Sequence, residues 1–157
     1  MTLVHATLDS PDTWGYVFDM HHAVDNFSYQ FTQLCFCGHS HVPVAFAKKP
    51  ISSMSESAVD ILTEWTPKYT AREIEGGCFL QTEMFPVEIK AGYKYLFNIG
   101  SIGQPRNRDP RASFAVYDNA ARTVTRYCVP YDFVTTQQKI LAAGLPERLA
   151  IRLASGC

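Results

Sequence analysis

The stretch CFCGHSHVPVAF, residues 35–46, sets two histidines one residue apart at the end of an apolar run. Residues 34–37, LCFC, read as a short buried strand that stops at Gly38. A glycine there permits a tight turn and close backbone approach. His39 and His41 can then leave the strand's pleat and point into one volume, each offering a neutral nitrogen to a borderline metal. His5 follows Thr2-Leu3-Val4, a strand-like run, so a third imidazole also stands at a strand end. Strand ends are where open α/β sheets assemble their sites. The remaining histidines, His21 and His22, fall within a helical stretch and read as a solvated face.

Working outward, residues 2–6 read as a strand. Ser10-Pro11 offers helix-start chemistry, with Ser10 as N-cap and Pro11 at the first helical position. From Trp14 to about Gln33 the apolar positions fit one or two helices. Residues 42–49 read as a strand and ISSMSESA, 51–58, as a loop. The middle is strand-rich, in VDILTEW (59–65), GGCFLQTEMFPVEIK (76–90) and YKYLFNIG (93–100). Residues 113–132 form a hairpin about Asp118-Asn119-Ala120-Ala121. Two helices close the chain, one ending at Gly144 and one opened by Pro146. The order implies an α/β or α+β fold in one domain.

Composition narrows the function. The chain has 157 residues, 46% hydrophobic, with 14 basic and 15 acidic side chains and a net charge of -1. That balance gives no electrostatic footprint for duplex nucleic acid or an acidic membrane surface. No apolar run approaches the ~20 residues of a membrane span, and residues 1–6 are too short and uncharged for a secretory signal. Five cysteines (Cys35, Cys37, Cys78, Cys128, Cys157) in a chain that needs no stapling imply a reducing, cytoplasmic setting. Apolar residues begin at position 3 with no polar lead-in, so something is expected to precede this strand.

Gly38-His39-Ser40-His41 resembles the Gly-His-x-His motif of calcineurin-like metallophosphoesterases. LVHATLDSPDTWGYVFD, residues 3–19, resembles the family's segment around a lone metal-binding histidine. FNIGSIGQPRNRDPRASFAVYD, residues 97–118, resembles the NPGSVGQPRDxDPRASYAVxD stretch of a bacterial and archaeal branch, and residues 139–156 resemble that branch's last helix. The resemblance implies that residues 1–157 are a single partial domain, the C-terminal part of a four-layer α/β/β/α sandwich with a mixed sheet and flanking helices. It implies a hydrolase acting on phosphomonoesters or phosphodiesters, a small phosphate ester or a nucleotide, through two divalent ions such as Mn, Fe, Ni or Zn. His5 and His39 would ligate one ion and His41 its neighbour. His39 or His41 would also act catalytically by steadying the phosphate or the leaving group.

The same resemblance exposes what is missing. The family's Asp-x-His, Gly-Asp and Gly-Asn-His-Asp/Glu motifs precede the segment that corresponds to His5. This chain contains no Gly-Asp and no Gly-Asn, and its one formal Asp-x-His, Asp19-Met20-His21, follows His5 within a helix. Two divalent ions ~3.5 Å apart repel by on the order of 20 kcal/mol at an effective dielectric of ~20. Three neutral imidazoles supply no charge against that. The expectation is a truncated enzyme holding at most one ion, weakly, with weak or no turnover and exposed sheet edges. The alternative is a non-catalytic binding module that retains a partial histidine site. A weaker one is a structural zinc domain using Cys37 with the histidines, although the spacing of Cys35 and Cys37 suits two buried small hydrophobes. Asn98, Gly100 and Ser101 read as a strand exit, either a turn or part of the site. Arg106, Arg108 and Arg111 flank Asp109 and either meet a phosphate or form local ion pairs.

Overall fold

The computed structural model describes residues 1–50, 58–65 and 81–157. The loop reading of 51–57, the strand reading of 76–80 and Cys78 lie outside those residues. Five strands form one sheet: β1 (Thr2–Leu3), β2 (Leu34–Cys37), β3 (Val44–Lys48), β4 (Val59–Ile61) and β6 (Lys94–Asn98), in the order β1-β2-β6-β3-β4. β1, β2 and β6 run parallel, while β3 is antiparallel to β6 and β4. LCFC, VAFAK and KYLFN are nearly continuous apolar runs because both faces of this sheet are covered. Alternation still sorts the faces. Cys35, Cys37, Phe46 and Leu96 pack on one side with Val17, Ala23 and Phe27, whereas Leu34, Ala45, Ala47, Tyr95 and Phe97 pack on the other.

Helix α1 (Met20–Tyr29) covers the first face. Its N-cap is Asp19, whose carboxylate accepts from the His22 N–H at 3.1 Å. Ala23, Asn26 and Phe27 share its buried stripe. The helix start expected at Ser10-Pro11 is therefore corrected by about ten residues. Ser10 opens a turn closed by the Thr13 N–H at 3.0 Å, Trp14 takes a left-handed φ of 60°, and Val17 is drawn into the core on an extended segment. Turn and helix start share the same chemistry at Ser10-Pro11, and burial of Val17 decides between them. Among the described residues of 14–33 there is one helix.

A three-stranded antiparallel sheet faces the other side: β5 (Glu83–Glu88), β7 (Ala112–Asp118) and β8 (Thr123–Val129), ordered β5-β8-β7. The expected hairpin is β7–β8, and Asp118 fixes its turn by accepting from the Ala120 and Ala121 N–H groups. Val124 joins the core between the sheets, and Arg126 and Cys128 project to the same side of β8. Arg126 is fully buried. It donates to the Trp65 carbonyl at 2.6 Å and lies 4.3 Å from the Phe85 ring centre. Trp65 closes a short 3-10 turn (Thr63–Trp65) after β4.

The chain ends in α2 (Phe133–Ala142), capped by Asp132, and α3 (Glu147–Ser155), which pack on each other. Gly144 follows α2 at φ 69°. Gly156 ends α3 at φ 61° and lies so close to the Asp109 backbone that a Cβ there would stand 2.6 Å from its nitrogen. The Arg108 N–H donates to the Gly156 carbonyl at 2.8 Å, docking α3 onto the 105–111 loop.

Candidate metal centre

Because β1, β2 and β6 are parallel, their C-terminal ends share one edge of the sheet. His5 follows β1 there, and Gly38-His39-Ser40-His41 follows β2. The backbone ladder continues past the strands, with Val4 N–H donating to Phe36 and Gly38 N–H to His5, each at 3.0 Å. The segment after β2 then runs to β3, which pairs with the far side of β6, so it must pass over the end of β6. Asn98 sits at that end, fully buried. Its Nδ2 donates to the Gly38 carbonyl at 2.8 Å and to Ser40 Oγ at 2.7 Å, and its Oδ1 accepts from the Gly100 N–H. Asn98 thereby holds the crossing loop. That support matters because His39 (φ 57°) and His41 (φ 60°) are both left-handed, a conformation costing a non-glycine residue roughly 1–3 kcal/mol. With Trp14, three of the five such residues among those described surround this edge.

His5 Nε2 and His39 Nδ1 approach to 3.2 Å, with ring centres 5.1 Å apart. Two nitrogens each ~2.0–2.1 Å from one tetrahedral ion stand about 3.4 Å apart, so the spacing suits a shared cation as well as a shared proton. His41 is held separately: its Nδ1 donates to the Gln104 carbonyl at 2.7 Å, which leaves Nε2 its lone pair. Burial lowers the His41 pKa, the Gln104 bond opposes this, and Arg106, His39 and His5 push it further down. All three imidazoles border a cleft of about 470 Å³, walled by Leu3, Phe36, Ile99, Ile102 and Phe114.

Among the described residues, no group of three or more His, Cys, Asp or Glu side chains is arranged to hold a metal ion. The donors present fit part of one ion's shell, through His5 and His39. They do not fit two ions, for which a charged bridging donor is needed. Asp19-Met20-His21 supplies none: Asp19 caps α1 and bonds His22 Nδ1 at 2.8 Å, while His21 is exposed. Cys35 and Cys37 are core residues. Burial pushes the Cys35 thiol up to about 11 against a bond from Asn26, and pushes Cys37 higher still, with Cys35 adding to it, so neither offers a thiolate near neutral pH.

The arginines divide. Arg111 is buried in a local ion-pair network with Asp109, at 2.7 Å, and Glu83, at 3.1 Å. Arg106 and Arg108 are exposed, and Arg106 reaches Gln104 Oε1 at 3.3 Å. Helical periodicity hid two further residues of the site. Tyr16 stacks on His39 with ring centres 4.5 Å apart, and Trp14 lies 5.2 Å from His5 and 5.5 Å from His39. The readable signal was the alternation Tyr16-Val17-Phe18, two rings flanking a core valine.

No family model matches the chain. It is 31% identical over 152 residues, 97% of its length, to an uncharacterised protein of Methanocaldococcus jannaschii, of which it covers 50%. Its fold matches the crystal structure of a metallophosphoesterase from Sphaerobacter thermophilus with a TM-score of 0.73 and 33% identity, over 99% of this chain and 54% of that one. The chain thus spans about half the length of the relatives it matches. A shared fold at that identity, with the histidine loop at the parallel strand ends, supports the resemblance to the calcineurin-like metallophosphoesterases.

Proposed function

We propose that this chain contributes the histidine side of a metal-dependent phosphoesterase centre that hydrolyses phosphomonoesters or phosphodiesters. It would correspond to the C-terminal portion of the fold, with carboxylate ligands supplied by residues outside those described. The observation that carries the reading is the convergence of His5 and the left-handed His39–His41 loop at the ends of parallel β1 and β2. When bound, a divalent cation supplies Lewis-acid activation of a phosphoryl oxygen and of the attacking water. His5 and His39 would hold it, one nitrogen each. His41, neutral and tied to Gln104 through Nδ1, would present Nε2 to the phosphate or leaving group from across the cleft. Asn98 acts through the loop backbone and keeps both loop histidines in register.

The test uses this chain and a version extended to the relatives' length. Metal content by mass spectrometry and hydrolysis of bis(p-nitrophenyl) phosphate are measured for each, with His39→Ala and His41→Ala. The extended version should turn over with metal, and each substitution should lower activity at least ~100-fold. Unchanged turnover and metal content in both variants would sink the assignment. The second reading, a binding module with a partial histidine site, draws support from the missing third ligand among the described residues. It predicts metal uptake without turnover in both versions.

A further inference from the structure

Among the described residues, His5 and His39 lack what usually aims a metal-ligating imidazole. Such a ring normally donates its second nitrogen to a carboxylate or carbonyl, which fixes its orientation. His41 has that partner in Gln104. Among the described residues His5 and His39 have only each other through nitrogen. Their orientation comes instead from ring contacts. Tyr16 lies against the face of His39, 28° from parallel, and its other side stacks on Phe18 at 5.2 Å and 13°. Trp14 meets His5 edge-on at 72° and His39 at 48°.

The clamp is anchored at both ends. Val17, between the two stacked rings in sequence, is buried in the core under α1, so its neighbours Tyr16 and Phe18 are turned the other way. Gly15 passes so close to Thr7 that a Cβ would stand 2.9 Å from its Oγ1, which draws the 14–16 segment against the strand exit carrying His5. Trp14 is kept in a left-handed conformation there. Strain of this kind persists where the surroundings over-determine it.

We propose that Tyr16 and Trp14 are positioning residues that aim His5 and His39 at a shared cation, replacing hydrogen bonds by ring packing. The inference rests on the reading that these imidazoles receive a divalent ion. Holding both rings before the ion arrives removes the rotamer entropy that binding would otherwise cost. The planar ring of residue 16 is what matters, and its hydroxyl is not.

Zn2+ titrated by calorimetry into this chain, and Co2+ followed by its visible absorption, test the idea alongside thermal melts. Tyr16→Phe should bind Zn2+ within about twofold of the parent, because it keeps the ring. Tyr16→Leu should bind about tenfold more weakly and shift the Co2+ bands, with an unchanged melting temperature since Tyr16 is 43% exposed. Trp14→Leu, at a side chain 57% exposed, should weaken binding about threefold. Zn2+ affinity and Co2+ spectra unchanged in Tyr16→Leu would overturn the proposal. Should that variant melt lower, parent-like binding in Trp14→Leu would overturn it instead. Failure of the parent to bind either ion, or binding unchanged in His39→Ala, defeats the metal reading itself. A parent that binds while the aromatic variants match it defeats only the clamp.

Discussion

Asn98 shows how one buried amide can govern a site it does not enter. It has no exposed surface to offer a ligand, and its hydrogen bonds go to the Gly38 carbonyl, Ser40 Oγ and the Gly100 N–H. Replacing it with alanine removes three hydrogen bonds and takes from the buried Gly100 N–H its acceptor, a loss of about 1–3 kcal/mol. Urea unfolding of Asn98→Ala should show that loss, and the released loop should bind Zn2+ more weakly than the parent. Stability and affinity both unchanged would remove Asn98 from the site. Gly156 is a second position where a single atom decides. Gly156→Ala would put a methyl 2.6 Å from the Asp109 nitrogen on a left-handed backbone. We expect roughly 2–4 kcal/mol of destabilisation, read from the same denaturation curves, whereas Gly103→Ala, with open space around it, should cost far less.

At the level of elements, α2 depends on its cap. Asp132 accepts from the Thr135 N–H at 2.9 Å and from the Thr135 hydroxyl at 2.5 Å. The Thr135 side-chain and backbone bonds hold its pKa below the ordinary value of 3.8. A depressed folded-state pKa contributes stability above the unfolded value, and that contribution fades as pH falls through the folded one. Melts taken below pH ~4 should therefore lose less on acidification in Asp132→Ala than in the parent, while the variant melts lower at pH 7. Identical acid slopes would refute the cap's role. Elements also show where the sequence speaks. Strands β2, β3 and β6 were legible as apolar runs, two of them closed by Gly38 and Gly100, although the reading of β3 began two residues early, at Val42. The hairpin was legible from alternation about Asp118. The start of α1 was not, because Ser10 and Asp19 are equally good caps and only the burial of Val17 separates them. The same misreading put residues 14–18 within a helix and hid Trp14 and Tyr16 from the site. His5 and His39 were legible as strand-end residues. The course of the loop over β6 was not, since it follows from the strand order.

At the scale of the whole molecule, the β1 edge of the five-stranded sheet stands open among the described residues. β1 is a two-residue edge strand whose Leu3 is 71% exposed, and Phe31, shortly after α1, is 93% exposed. An apolar edge with unpaired backbone groups invites pairing with another chain. Light scattering coupled to size exclusion should find mass rising with protein concentration, and Leu3→Lys should suppress that rise. A strictly monomeric parent would contradict the expectation. No helix among the described residues is long and apolar enough to cross a membrane.

The space between the two sheets holds a buried cation, Arg126. Its guanidinium lies between the sheets, against the Phe85 ring, the Trp65 carbonyl and Cys128 Sγ, and has no direct carboxylate partner among the described residues. Such an ion keeps its water until those neighbours are in place. Closing the two sheets and drying this cation are thus a single event in the assembly of the fold.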